Sequence, residues 1–171
     1  MENTKNLENT TVVVISWLIA LWSAYVFITS LFYKFDKSAL EPEHIFSTIG
    51  TWMSNTISPT LGSLFGEYGA ILIGVAELTT ALVLIAPVVL WSHRKKLHCI
   101  GGLLASAVMA GAVFFHIFTP LGWNPTWKVA NKAACDATFL APNSCIDTGL
   151  ANAALSILLL SLLMVWLNKK A

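Results

Sequence analysis

Apolar and polar positions divide the chain into four long apolar runs separated by shorter polar breaks. The runs cover residues 11–33, 68–91, 97–118 and 148–167. A helix crossing a hydrocarbon core of roughly 30 Å needs about 20 apolar residues, and every run reaches that length. None shows the ten-residue apolar–polar alternation of a membrane barrel, and a helix satisfies its own backbone groups inside lipid. The pattern therefore predicts an all-α membrane protein, a single domain over 1–171 built as a four-transmembrane-helix bundle. Between the first two runs, Ile45, Phe46, Ile49, Trp52 and Met53 recur near helical spacing, with Ser47, Thr48, Thr51 and Ser54 between them. That arrangement predicts a short interfacial helix in the first outer loop, ended by Pro59 and Gly62 before the second span. The leading segment sets Glu2 and Glu8 against Lys5 alone, and the apolar run after it is longer than a signal-peptide h-region. The first span is expected to be retained.

Composition sharpens this picture. Of 171 residues 56% are hydrophobic and 11% charged, with a mean hydropathy of +0.71. Soluble domains carry about 25% charged residues, so this chain cannot cover a water-facing surface, and the bilayer is its expected partner. Ten Lys and Arg against nine Asp and Glu give a net charge of +1. That leaves no basic field to hold a nucleic acid. Four spans place both termini and the short second loop on one side, with Lys5, Arg94, Lys95, Lys96, Lys169 and Lys170. The other side holds Lys34, Lys37, Lys128 and Lys132, spread over two longer loops. The tight Arg94–Lys96 cluster predicts that both termini are cytoplasmic, with a bacterial inner membrane as the expected location. Cys135 and Cys145 share the third loop on the outer, oxidising side, where a bridge between them is expected to persist; a pair of reactive thiols is the other reading. Cys99 stands alone near the inner end of the third span. The C-x-x-C pair of a thiol-exchanging membrane enzyme is missing.

Among residues that carry chemistry, Glu77 stands out. It lies near the middle of the second span, where a charge costs several kcal/mol or more. Its helix face also carries Ala70, Gly74 and Ala81, small residues that admit a neighbouring helix. Glu77 is thus expected to point into the bundle, either as a proton carrier or ligand-orienting group, or as a hydrogen-bonded lock for helix packing. His116 ends the third span. At 1.5 Å per residue it lies roughly 10 Å nearer the outer boundary than Glu77, so direct contact is not expected without tilt, and a water or a bound ligand could bridge the two. The alternative for His116 is a hydrogen bond to a backbone carbonyl near Pro120. Lys34 and Asp147 both sit at the outer boundary, where the first snorkels and the second suits a helix N-cap. Glu41-Pro42-Glu43-His44 has metal-capable side chains in a poor chelating arrangement, and no metal site is expected. His93 and His98 belong to the basic inner loop, where contact with anionic lipid is the simplest reading. No two histidines face each other at equal depth, as a haem held between two of them would require.

Taken in order, these residues resemble a known family. Phe32-Tyr33-Lys34-Phe35 closes the first span, and Ile73-Gly74-Val75-Ala76-Glu77-Leu78 lies inside the second. Gly111-Ala112-Val113-Phe114-Phe115-His116 runs into Thr119-Pro120-Leu121-Gly122, and Asp147-Thr148-Gly149-Leu150 opens the fourth. Over residues 32–155 the chain is similar to the DoxX-like family of small four-span membrane proteins. The resemblance implies Lys34, Glu77, His116 and Asp147 as the family's polar positions. It also implies a membrane subunit or accessory protein of a redox system, since some relatives serve thiosulfate:quinone oxidoreductase. A quinone is the ligand that Glu77 and His116 would suit, through hydrogen bonds to its carbonyls. The third loop, holding Cys135 and Cys145, is longer than in the compact form of the family. The alternative function is a non-catalytic anchor or assembly partner, paired with a redox enzyme subunit or with a second copy of itself.

Overall fold

The computed structural model describes residues 2–130, 132–135, 138–141 and 143–170. Five α-helices carry the chain: α1 (Glu2–Lys34), α2 (Leu40–Thr56), α3 (Pro59–Ile85), α4 (Arg94–Phe118) and α5 (Leu150–Lys170). Two single 3-10 turns, Ala86–Val88 and Trp91–His93, join α3 to α4. Four of the helices are long and apolar enough to cross a membrane: Thr10–Lys34, Pro59–Val88, Trp91–Phe118 and Leu150–Lys169. They pack as a ring in the order α1, α3, α4, α5. Its core is built on Phe27, Leu84, Met109, Ile157 and Met164, with Ala20, Ala24, Ala81, Ala105 and Ala154 between them. The outward faces are also apolar: Leu18 is 64% exposed, Leu82 59% and Leu159 58%. Such surface is stable only against lipid.

Apolar pattern located the spans, but not every boundary. The second spanning helix, α3, begins at Pro59, nine residues before the expected start at 68. Pro59 does not break a helix; it occupies the first turn of α3, where its missing N–H costs nothing. Ser58 precedes it as N-cap and accepts from the Leu61 N–H. Gly62 does not break a helix either. A Cβ at Gly50 would stand 2.7 Å from the Gly62 carbonyl oxygen, and a Cβ at Gly62 would run into the Ser54 backbone. The two glycines let α2 and α3 cross backbone to backbone.

The third loop holds structure that no helical or alternating pattern announces. Strands β1 (Thr126–Lys128), β2 (Thr138–Ala141) and β3 (Ser144–Ile146) form an antiparallel sheet in the order β1-β3-β2. Trp127 lies opposite Cys145, and Cys145 is bridged to Cys135. Trp127, Val129 and Cys145 form a small core that packs against Leu40 at the start of α2. His44, one turn further along α2, lies 6.1 Å from the Trp127 ring. The loop is thereby docked on α2.

Candidate functional site

Glu77 faces α1, as the small residues on its helix face predict, and is 3% exposed. The opening at Gly74 is filled by the Phe35 ring, which a Cβ there would meet at 2.8 Å. Lys34 does not snorkel outward. Its ammonium turns inward and lies 2.9 Å from Glu77 Oε1 and 2.7 Å from Oε2. Ser30, one turn earlier on α1, donates to Oε2 over 2.6 Å. The carboxylate thus has a cation and a hydroxyl on it, both supplied by the neighbouring helix. Charge-assisted bonds of this kind are the strong ones, and the pair fixes the end of α1 to the middle of α3.

His116 is 4% exposed. Its Nδ1 lies 2.7 Å from the carbonyl oxygen of Gly122. A carbonyl only accepts, so Nδ1 carries the proton and Nε2 is left to exchange one. Gly122 reaches this position through a left-handed turn, φ 72°, which glycine adopts without steric cost. Asp147 caps α5: its Oδ1 accepts from the N–H groups of Gly149 (2.6 Å) and Leu150 (2.8 Å). The structural readings of His116 and Asp147, a carbonyl-bound histidine and an N-cap, are both realised.

These residues share one cavity. A space of about 400 Å³ opens between α1, α2, α3, α4 and α5, and Lys34, Glu77, His116 and Asp147 all lie on its wall. Small-molecule sites typically measure roughly 300–1,000 Å³, so this one suits a small ligand. Most of the remaining wall is apolar, with Phe27, Ile45, Phe46, Ile73, Met109 and Phe115 among its residues. No family model, curated protein or solved structure matches this chain.

Sequence reasoning missed several parts of this site. Ser30 is a polar residue one turn before Lys34 in an apolar run, and that spacing was a usable signal. The contribution of α2, which closes one side of the cavity with Pro42, Ile45, Phe46 and Ile49, depends on a helix crossing that spacing alone does not give. Gly111 also lines the cavity, and a Cβ there would have nothing within 4 Å. His98 lies elsewhere. It is fully buried beside the Trp17 ring, 5.0 Å between centroids, so it does not touch lipid as its place in the sequence suggested. The stretch Glu41–His44 gathers no metal ligands: among the described residues, no cluster of three His, Cys, Asp or Glu side chains could hold an ion.

Proposed function

We propose that this chain is a DoxX-like membrane protein that seats the headgroup of a quinone, as a membrane subunit or accessory protein of a redox system. The observation that carries the proposal is the convergence of Lys34, Glu77, His116 and Asp147, from three helices and the loop before α5, on one apolar cavity. A quinone presents two carbonyl oxygens on a flat apolar ring. Lys34 keeps a third ammonium proton beyond the two that serve Glu77 and would donate it to one oxygen of the ring, while His116 Nε2, bare as long as Nδ1 holds the proton, would accept from the hydroxyl at the other end of the reduced quinol. When bound, the quinone would supply electron-carrying chemistry. The chain would orient the headgroup, exclude water with its apolar wall, and hold or release a proton at His116 Nε2. In this reading both termini are cytoplasmic, α2 lies at the outer interface, and the membrane is the bacterial inner membrane.

A second reading has its own support. Glu77 is fully engaged by Lys34 and Ser30, and Asp147 by α5, as a purely structural anchor would have them. Quinone extraction separates the two. Wild type and the Lys34→Gln/Glu77→Gln variant, which removes both charges together, are purified from native membranes and their lipid extracts assayed by absorbance. A quinone site retains quinone in wild type and loses it in the folded variant. Equal quinone in both, or none in wild type, leaves the anchor.

A further inference from the structure

We infer that the end of the bundle opposite the cavity holds a binding site for the phosphate of an anionic lipid, centred on Arg94. Arg94 opens α4 and is 7% exposed. Its guanidinium has five donors, yet among the described residues its one hydrogen bond is a long contact, 3.5 Å, to Asn168 Oδ1. Asn168 gives no charge in return, and its own amide nitrogen is spent on Ser16 and the Met164 carbonyl. The buried carboxylate of Glu77 is held by Lys34 at the other end of the bundle. A buried cation without a counter-charge is costly, and an anion from outside the chain would remove that cost.

Three features specify the anion. The first turn of α4 carries Arg94, Lys95 and Lys96 with no acidic residue, and its N-cap His93 supplies no side-chain bond. Positive side chains at a helix N-terminus oppose its dipole, and a phosphate placed there would meet the positive end of that dipole together with the Arg94 guanidinium. Second, Arg94 lies over the Trp91 ring at 5.9 Å. Trp91 is well exposed, as are Val88, Val89 and Leu90 before it, which gives acyl chains an apolar face beside the charge. Third, no Asp or Glu occurs between Glu77 and Asp136, nor in α5, and the acidic residues of α1 at this end, Glu2 and Glu8, lie two turns or more before Ser16, the residue that joins α1 to Asn168. The phosphate belongs to a lipid rather than to free solution because the charge sits between an exposed tryptophan and an apolar strip.

The test uses the full chain in vesicles of phosphatidylcholine, with and without one-fifth phosphatidylglycerol, and reads thermal unfolding and the lipids retained in native mass spectrometry. Wild type should melt higher with phosphatidylglycerol and retain it; Arg94→Gln should lose both effects, while Lys132→Gln keeps them. An unchanged response in Arg94→Gln, or no response in wild type, overturns the site. Inorganic phosphate added to pure phosphatidylcholine vesicles should not reproduce the shift; if it does, the lipid assignment is wrong. If Arg94→Gln fails to fold, Arg94→Lys keeps the cation without the planar fork. It must then retain less phosphatidylglycerol than wild type, and equal retention also overturns the proposal.

Discussion

The Lys34 ammonium is within 2.9 Å of both carboxylate oxygens of Glu77, 43 residues further along the chain. Breaking a buried pair by removing one partner costs about 3–5 kcal/mol, because the other charge is left without compensation. Glu77→Gln and Lys34→Met should each lower the thermal unfolding temperature in detergent. The Lys34→Met/Glu77→Gln variant should lose less than the two single losses summed. Additive losses would show that the two side chains stabilise the bundle independently.

Two glycines on one helix should behave in opposite ways. Gly111 faces open cavity, whereas a Cβ at Gly102 would meet Val165 at 2.8 Å and the Ser161 carbonyl oxygen at 3.0 Å. Gly102→Ala should destabilise by about 1–3 kcal/mol through overpacking. Gly111→Leu should fold at least as well as wild type, since glycine inside a helix costs roughly 1 kcal/mol relative to a better helix former, and should abolish ligand retention by filling the cavity. Retention of quinone by Gly111→Leu would place the ligand elsewhere.

Burial against the loop sheet lowers the His44 pKa below its ordinary 6.5. The docked state therefore favours neutral imidazole. The stabilisation is complete above pH 6.5 and is lost as pH falls through the lowered value, since the undocked state takes up the proton first. Hydrogen exchange at residues 126–129 and 144–146 should quicken as pH drops below 6.5, after correction for intrinsic exchange. His44→Phe should flatten that dependence. An identical pH profile in His44→Phe would assign it to another group.

The Cys135–Cys145 bridge closes a loop outside the bundle core, so reduction should loosen the sheet and spare the helices. Alkylation before and after reduction should show one free thiol, Cys99, and then three. Tryptic cleavage after Lys128 and Lys132 should accelerate on reduction while helix melting stays within a degree or so, as expected for a local opening. Loss of the whole bundle on reduction would mean that the loop is integral to it.

The four spans were legible because an apolar run of membrane length suits little besides a helix in lipid. The inward direction of Glu77 was legible as well, from Gly74 and Ala81 on its face. The partner of Glu77 was not, because a lysine at a helix end can reach outward or inward, and only the crossing of α1 over α3 decides. Depth along the helix separated Glu77 from His116, and the cavity between them depends on α2, whose docking rests on Gly50 and Gly62. Gly62 reads as a breaker in sequence because its use, a backbone crossing, involves residues of another helix. The sheet was hidden for a related reason. Its strands are three or four residues long and are held by a disulfide and by Leu40 rather than by an alternating pattern.

The crossing at Gly50 and Gly62 also has a mechanical side. With backbone set against backbone and only the small Ser54 side chain beside it, α2 and α3 have little play at that point. Beyond it α3 runs without interruption past Gly66 to Glu77, roughly 22 Å from Gly62 at 1.5 Å per residue. A displacement of the disulfide-bridged loop, gripped by α2 through Leu40 and His44, would reach Glu77 as the motion of a stiff lever pivoting where the two glycines touch.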